Sequence, residues 1–401
     1  MTPVSDTAIH IDSHTLQGTP GVLTIDLDAL AANWKALENR VVPAECSAVV
    51  KADAYGCGLG PVMRKLVSAG CKTFFVATLD EARRAREAAP KATIYVLDGF
   101  FSNCGDDFAK IDCRPVIGDI SELAEWDAFR RTRGWTGLAA LQIDTGMNRL
   151  GLTIDEARGL LPRIRQADHG IALVMSHLAC AEDMANAMNA RQLAAFRAIA
   201  SEFHGIPSSL ANSSGIFLGS HFHIDMVRPG AALYGVNPTP EADNPMQPVV
   251  SLKARIAQIR NVPKGETVGY GALWHAKRPT RLAVVSAGYA DGYFRAASGI
   301  EGTRSAQAIV AGQRCPIAGR ISMDLMAIDI TDLPHGAVRR GHLVSLIGEG
   351  LTLDELGHHF GTIGYEVLTS LGRRYARDYR GSVGQGSKPA SDKVASEKSP
   401  A

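Results

Sequence analysis

Between residues 22 and 228 the chain repeats one unit, a short apolar run followed by a stretch with helical periodicity. The first run is Val22–Asp26. Eight more follow: Cys46–Lys51, Thr73–Thr78, Thr93–Leu97, Arg114–Ile117, Leu138–Ile143, Ala172–Met175, Ser208–Ala211 and Ile224–Arg228. Val22–Asp26 leads into a helix with Asp28 as expected N-cap and Leu30, Trp34 and Leu37 on one face. Further helical patterns include Glu81–Ala88, Ser121–Arg131, Asp155–Arg165 and Ala190–Phe203. Such alternation, repeated about eight times over roughly 200 residues, predicts a (β/α)8 barrel. A doubly wound sheet satisfies the same periodicity, but no Gly-x-Gly-x-x-Gly follows the first strand, which disfavours a dinucleotide site.

From Asn237 the pattern changes. Pro238 to Pro245 is turn-rich and aperiodic, and closely spaced β-runs follow at Leu252–Arg260, Leu282–Ser286, Ala308–Ala311, Leu325–Ile330 and Leu343–Ile347. Two short helices are expected near Leu353–His358 and Tyr365–Arg374. The reading is an α/β chain: a flexible segment over 1–20, a barrel over 21–245, a mainly-β domain over 246–380 and a disordered tail over 381–401. With 42 basic and 41 acidic residues the net charge is +1, which gives no reason to expect nucleic acid or an anionic membrane as partner. No apolar run approaches the roughly 18 residues of a membrane span, and the polar start does not read as a signal peptide. Seven scattered cysteines without a Cys-x-x-Cys pair suit a reducing cytoplasm rather than a disulfide framework or a metal site.

A barrel builds its site at the C-terminal ends of its strands. Lys51 stands at such an end, in Val50-Lys51-Ala52-Asp53-Ala54-Tyr55-Gly56-Cys57-Gly58. A lysine ending a buried strand is expected to be poorly solvated, which frees its amine as a nucleophile for a carbonyl. A surface lysine is the plainer alternative. With the Lys51 strand as strand 1, Ala211-Asn212-Ser213-Ser214-Gly215 follows strand 7 and Arg228-Pro229-Gly230-Ala231 follows strand 8. Those two loops commonly hold a phosphate. A serine hydroxyl, a glycine admitting close backbone approach and a helix start after Ser213 would make the cradle.

These segments resemble the alanine racemases, which use pyridoxal 5'-phosphate (PLP). So do Asp144-Thr145-Gly146-Met147-Asn148-Arg149, Asp225 to Gly235, Val268-Gly269-Tyr270-Gly271-Ala272 and Ile321-Ser322-Met323-Asp324. The resemblance runs from about Val22 to Tyr379 and includes the order of barrel and β-domain. It implies that Lys51 carries the cofactor, that Ser213, Gly230, Tyr55 and Tyr365 bind its phosphate, and that Asn212 and Ala231 belong to the cofactor-binding set. His177 and Arg149 complete the binding set, Arg149 also meeting the substrate carboxylate with the Met323 backbone amide. Arg228 would face the pyridine nitrogen. Arginine offers no acceptor and keeps its proton, so this contact weakens the electron sink and favours racemisation over transamination.

Racemisation needs a base on each face of the α-carbon. The resemblance assigns one face to Lys51 and the other to Tyr270, which an ordinary phenol pKa near ~10 suits only with cationic or donor neighbours. In the family this tyrosine reaches the barrel of a partner subunit, so a homodimer with composite active sites is expected, acting on L- and D-alanine. Gly288-Tyr289-Ala290-Asp291-Gly292-Tyr293 and Tyr365-Glu366 resemble the substrate access path, whose narrowness selects a small amino acid. One position departs from the pattern. Many members carry a carbamylated lysine where this chain has Gln142, so Arg149 would be held by the amide oxygen, a bound anion such as chloride, or another carboxylate. The alternatives are another barrel-type PLP enzyme, a broad-specificity racemase or a decarboxylase, and a PLP-binding regulator, which would lack the β-domain. A role in cell-wall D-alanine supply and one in L-alanine breakdown read alike in the sequence.

Overall fold

The computed structural model describes residues 18–303 and 305–381; the remainder of the segments expected to be flexible and disordered lies outside the described residues. The strand that carries Lys51, β2, comes in two pieces, Glu45–Cys46 and Ala48–Val49. It is followed by β3 (Thr73–Val76), β4 (Thr93–Val96), β5 (Arg114–Ile117), β6 (Ala139–Gln142), β7 (Ile171–Met175), β8 (Ser208–Ser209) and β9 (Met226–Val227). Every pairing is parallel. The first piece of β2 pairs with β9 and the second with β3, so both edges of β2 are used. Ser47 N donates to Val227 O at 3.1 Å and Val50 N to Phe75 O at 2.9 Å, on opposite sides of the same strand. This closes the ring and decides for a barrel over an open sheet.

Phe75, Tyr95, Val116, Ala140, Leu173, Met175 and Met226 form a small core of their own, the barrel interior, with Phe75 stacked on Tyr95 at 4.9 Å. The larger core lies outside the ring, under the helices and on through the β-domain. The helix Leu27–Val41 buries Leu30, Trp34 and Leu37 as expected, but its N-cap is Asp26, which accepts from Ala29 N at 2.9 Å. Asp28 sits instead in the first turn, where an acid complements the helix dipole, and pairs with Lys65. The helix expected over Asp155–Arg165 is broken into Ile154–Gly159 and Leu161–Ile164, the second with proline in its first turn.

The second sheet is built around β10 (Val250–Val262), a strand long enough to serve two sub-sheets. It pairs with β15 (Leu343–Ile347) along its first half and with β11 (Thr280–Val285) along its second, with a bulge between Ile256 and Gln258. β14 (Met326–Asp329) continues from β11, and the hairpin of β12 (Gln307–Val310) and β13 (Gln313–Pro316) continues from β15. The strand read at Val22–Asp26, β1 (Gly21–Asp26), lies in this sheet and not in the barrel. It is antiparallel to β10 and parallel to β16 (Ala376–Arg380), a strand the sequence did not announce. The reason is that the barrel ring has no free edge to offer it. The last helix covers Gly364–Ser370 and stops before Gly372, so it does not reach Arg374. Among the described residues no helix is long and apolar enough to cross a membrane.

Candidate active site

A cavity of about 620 Å³ opens at the C-terminal ends of the barrel strands. It is lined by Lys51, Tyr55, Arg149, His177, Asn212, Ser213, Arg228, Gly230, Ala231 and Tyr365, ten of the expected residues brought together from five strand ends and the β-domain. Tyr270 and Met323 are not among its walls. Tyr270 is 69% exposed and lines a separate groove on the β-domain with Arg320 and Ser322, and Met323 is 53% exposed.

After β2 the backbone enters the left-handed region for four consecutive non-glycine residues, Ala52 to Tyr55, all with φ near 54–55°. Left-handed geometry costs L-residues roughly 1–2 kcal/mol each, so this turn stands only because its surroundings over-determine it. Gly56 N donates to Ala52 O and Gly58 N to Asp53 O, both at 2.8 Å, and the Asp53 carboxylate accepts from Leu59 N at 3.0 Å. The turn sets both Lys51 and Tyr55 on the cavity wall. Lys51 is exposed there, so the poorly solvated lysine expected from the strand end is not what forms. Its amine stands open because the turn lifts it off the packed strand.

Tyr55 stacks on Tyr234 with ring centroids 4.6 Å apart. Its hydroxyl lies where a Cβ at Gly230 would come within 2.3 Å, so only glycine fits at that position. Burial pushes the Tyr55 phenol above its usual range. The Ser213 hydroxyl accepts from Gly230 N at 2.9 Å and Ala232 N at 3.2 Å, tying loop 7 to loop 8. The helix expected after Ser213 is a 3-10 turn, Ser214–Phe217, and the Asn212 side chain already accepts from Gly215 N at 2.9 Å.

Arg228 is 4% exposed. It donates to Ser209 Oγ at 2.5 Å and Ser176 O at 2.6 Å, lies 3.3 Å from His177 Nδ1 and packs over the Phe75 ring. Among the described residues no carboxylate pairs with it, so it is not a structural ion pair. Desolvation pulls it down to about 10, which leaves it charged near neutrality. Burial, then the charges of Arg228, Arg149 and Lys51, push His177 down to about 3, so the imidazole beside Arg228 is neutral.

Arg149 projects from a loop built by Asp144, whose carboxylate accepts from the Gly146, Met147 and Asn148 amides at 2.8–2.9 Å. The Gln142 amide donates to Leu150 O at 3.0 Å. Among the described residues neither a carboxylate nor the Gln142 oxygen holds Arg149, which leaves its exposed guanidinium directed at the cavity. Tyr365 donates to Glu182 Oε1 at 3.4 Å; burial first, then that carboxylate, push its phenol up to about 12. Tyr293, expected on the access path, is instead a buried core residue edge-on to Phe360, whereas Tyr289 is 44% exposed. Arg374 grips Asp291 at 2.6 and 2.9 Å and Asp324 at 2.8 Å, stapling the two β-domain motifs together. Asp98 and Glu182 line the cavity without having carried a sequence signal, and Tyr234, inside the Asp225 to Gly235 motif, backs it by stacking on Tyr55.

The description "Alanine racemase, N-terminal domain" matches residues 25–238, and "Alanine racemase, C-terminal domain" matches 249–379. The chain belongs to the alanine racemase family. Its reaction is the PLP-dependent interconversion of L- and D-alanine. An alanine racemase of Methylobacterium sp. (strain 4-46) is 53% identical over 357 residues, covering 89% of this chain and 97% of the relative. The crystal structure of the alanine racemase of Bartonella henselae, described with covalently bound pyridoxal phosphate, superposes with a TM-score of 0.85 at 38% identity, covering 90% of this chain and 99% of that one. The biosynthetic alanine racemase of Pseudomonas aeruginosa gives 0.82 at 34%, covering 90% and 100%. The alanine racemase cavity here fits PLP on its own chemistry: an open lysine, a buried guanidinium with neutral partners only, and a glycine-lined junction of loops 7 and 8.

Proposed function

We propose that racemisation runs by two bases held on different subunits, Lys51 on one face of the α-carbon and the partner subunit's Tyr270 on the other. PLP, when bound, accepts the electron pair released as the α-proton leaves. The Lys51 Nζ takes or returns the proton on its face, and the Tyr270 Oη does so on the opposite face. Ser213, Gly230, Tyr55 and Tyr365 would hold the phosphate, with Asn212 and Ala231 beside them in the cofactor-binding set. Arg228 would donate to the ring nitrogen and, unable to accept, would keep the electron sink modest. The free guanidinium of Arg149, with the partner's Met323 amide, orients the substrate carboxylate.

The observation that carries this reading is the contrast in one chain between ten converging residues and an outlying Tyr270, exposed on the other domain. We place the enzyme in a reducing cytoplasm, supported by seven free cysteines, five of them buried. The test is complementation. Lys51→Ala and Tyr270→Phe proteins are each expected to be inactive. After subunit exchange at equal amounts, activity should recover to roughly a quarter of wild type, because half of randomly paired dimers carry one intact site of two. No recovery on mixing would overturn the shared site.

A further inference from the structure

The left-handed turn from Ala52 to Tyr55 is anchored from a helix that contributes nothing to the cavity surface beyond its start. We propose that Glu81, in the helix Leu79–Ala88, is a positioning residue that sets Lys51 for reaction by holding this turn in its strained geometry. The inference rests on the reading of Lys51 as the cofactor lysine and base.

Glu81 uses its two oxygens for two different tasks. Oε2 accepts from Ala77 N at 2.8 Å and Thr78 N at 3.5 Å, closing the capping box in which Thr78 Oγ1 accepts from Glu81 N. Oε1 accepts from Asp53 N at 3.2 Å, the second residue of the left-handed run and two positions from Lys51. One turn further along the same helix, Arg84 pairs with the Asp53 carboxylate. Asp53 is therefore gripped at its amide and its side chain by one helix, in the middle of four residues that would otherwise relax. A helix cap alone needs only one of the two oxygens. The carboxylate is required because a second acceptor has to face the turn.

Glu81→Gln separates the tasks. Glutamine serves in a capping box as well as glutamate, but it has one acceptor oxygen and would present an NH2 group to the Asp53 amide. The control is Glu156→Gln, in the capping box of Thr153 and Glu156 on the helix Ile154–Gly159, which carries no contact to the turn. In cofactor-free protein, amide hydrogen exchange over 52–55 should accelerate about tenfold or more in Glu81→Gln and stay at the wild-type rate in Glu156→Gln. In the holoenzyme, Glu81→Gln should lower kcat by about 10- to 100-fold with the KM for alanine moved less than about threefold. Melting temperatures of the two variants should agree.

Equal exchange in both variants, or a kcat loss matched by Glu156→Gln, would make Glu81 a helix cap only. Faster exchange with unchanged kcat would also overturn the proposal, since the turn would then not be what sets the amine. Failure of the underlying reading shows up separately, as retained racemisation in Lys51→Ala.

Discussion

Arg228 and Tyr270 are both expected to meet the same substrate, yet one is 4% exposed and the other 69%. Arg228 is fixed by Ser209, Ser176 and His177, groups delivered by the two neighbouring barrel strands β7 and β8. Tyr270 stands between Gly269 and Gly271, both with positive φ (77° and 78°), so its backbone is set while its ring faces solvent. A barrel can bury a charge because neighbouring strand ends supply acceptors from every side. A turn on a domain surface can fix direction only, and on the proposed reading the partner subunit supplies the electrostatic surroundings. On that two-base reading, the site is finished at the barrel end and waits for a second subunit at the other.

Substitutions at the two ends should fail in opposite ways. Tyr270→Phe is expected to lower turnover by about 10²- to 10⁴-fold while changing stability by less than about 0.5 kcal/mol, as for an exposed side chain. Single-turnover exchange of α-deuterium should nearly vanish from L-alanine and survive in part from D-alanine. Equal loss from both enantiomers would break the contrast, because a single shared base would then serve both faces. Arg228→Met should do the reverse and unfold the protein more easily. Ser176 O would lose its donor inside the barrel, at about 1–3 kcal/mol for an unsatisfied group, read as a lowered urea midpoint, while Ser209 Oγ keeps its bond to Met226 O at 2.7 Å. An unchanged midpoint would mean that the guanidinium is not held as tightly as its bonds suggest.

The smallest effect lies in the pH dependence of the barrel end. His177 is held down at about 3 in the folded protein against 6.5 for the free side chain, so the unfolded chain binds the extra proton. Stability from this residue is complete above about pH 6.5 and is lost as pH falls from there towards about 3, by at most ~1.4 kcal/mol per unit. His177→Gln should flatten the fall in urea midpoint between about pH 7 and pH 5. Parallel curves for the two proteins would show that folding does not hold His177 below its ordinary pKa.

The barrel was legible because its strands are covered on both faces and so read as continuous apolar runs between helices. Leu97, Val174 and their neighbours announce themselves in that way. β13 and β16 did not, since Gln313-Arg314-Cys315-Pro316 and Ala376-Arg377-Asp378-Tyr379-Arg380 are polar and become strands only through their partners. β1 was visible as a strand, but nothing local says which sheet it joins. Long motifs located ten of the cavity residues. They gave no sign of the left-handed turn or of Glu81, because both arise from contacts between Asp53 and a helix nearly thirty residues on. The solvation of Lys51 was misjudged for the same reason: the strand end predicts burial, and the turn reverses it.

The place of β1 also sets a timetable for synthesis. This strand leaves the ribosome well before either of its partners, and four of its six residues end up buried. Its neighbours arrive far later, the β10 partners at Val250–Ala254 and the β16 partners at Ala376–Arg380. At roughly 5–20 residues per second, the last of them follows about 20–70 s behind. For that interval the nascent chain displays an apolar ribbon with both hydrogen-bonding edges vacant, the kind of segment that invites pairing with another chain. The barrel can close meanwhile without it, so chaperone demand should concentrate on a stretch of six residues that the finished molecule hides in the middle of a sheet.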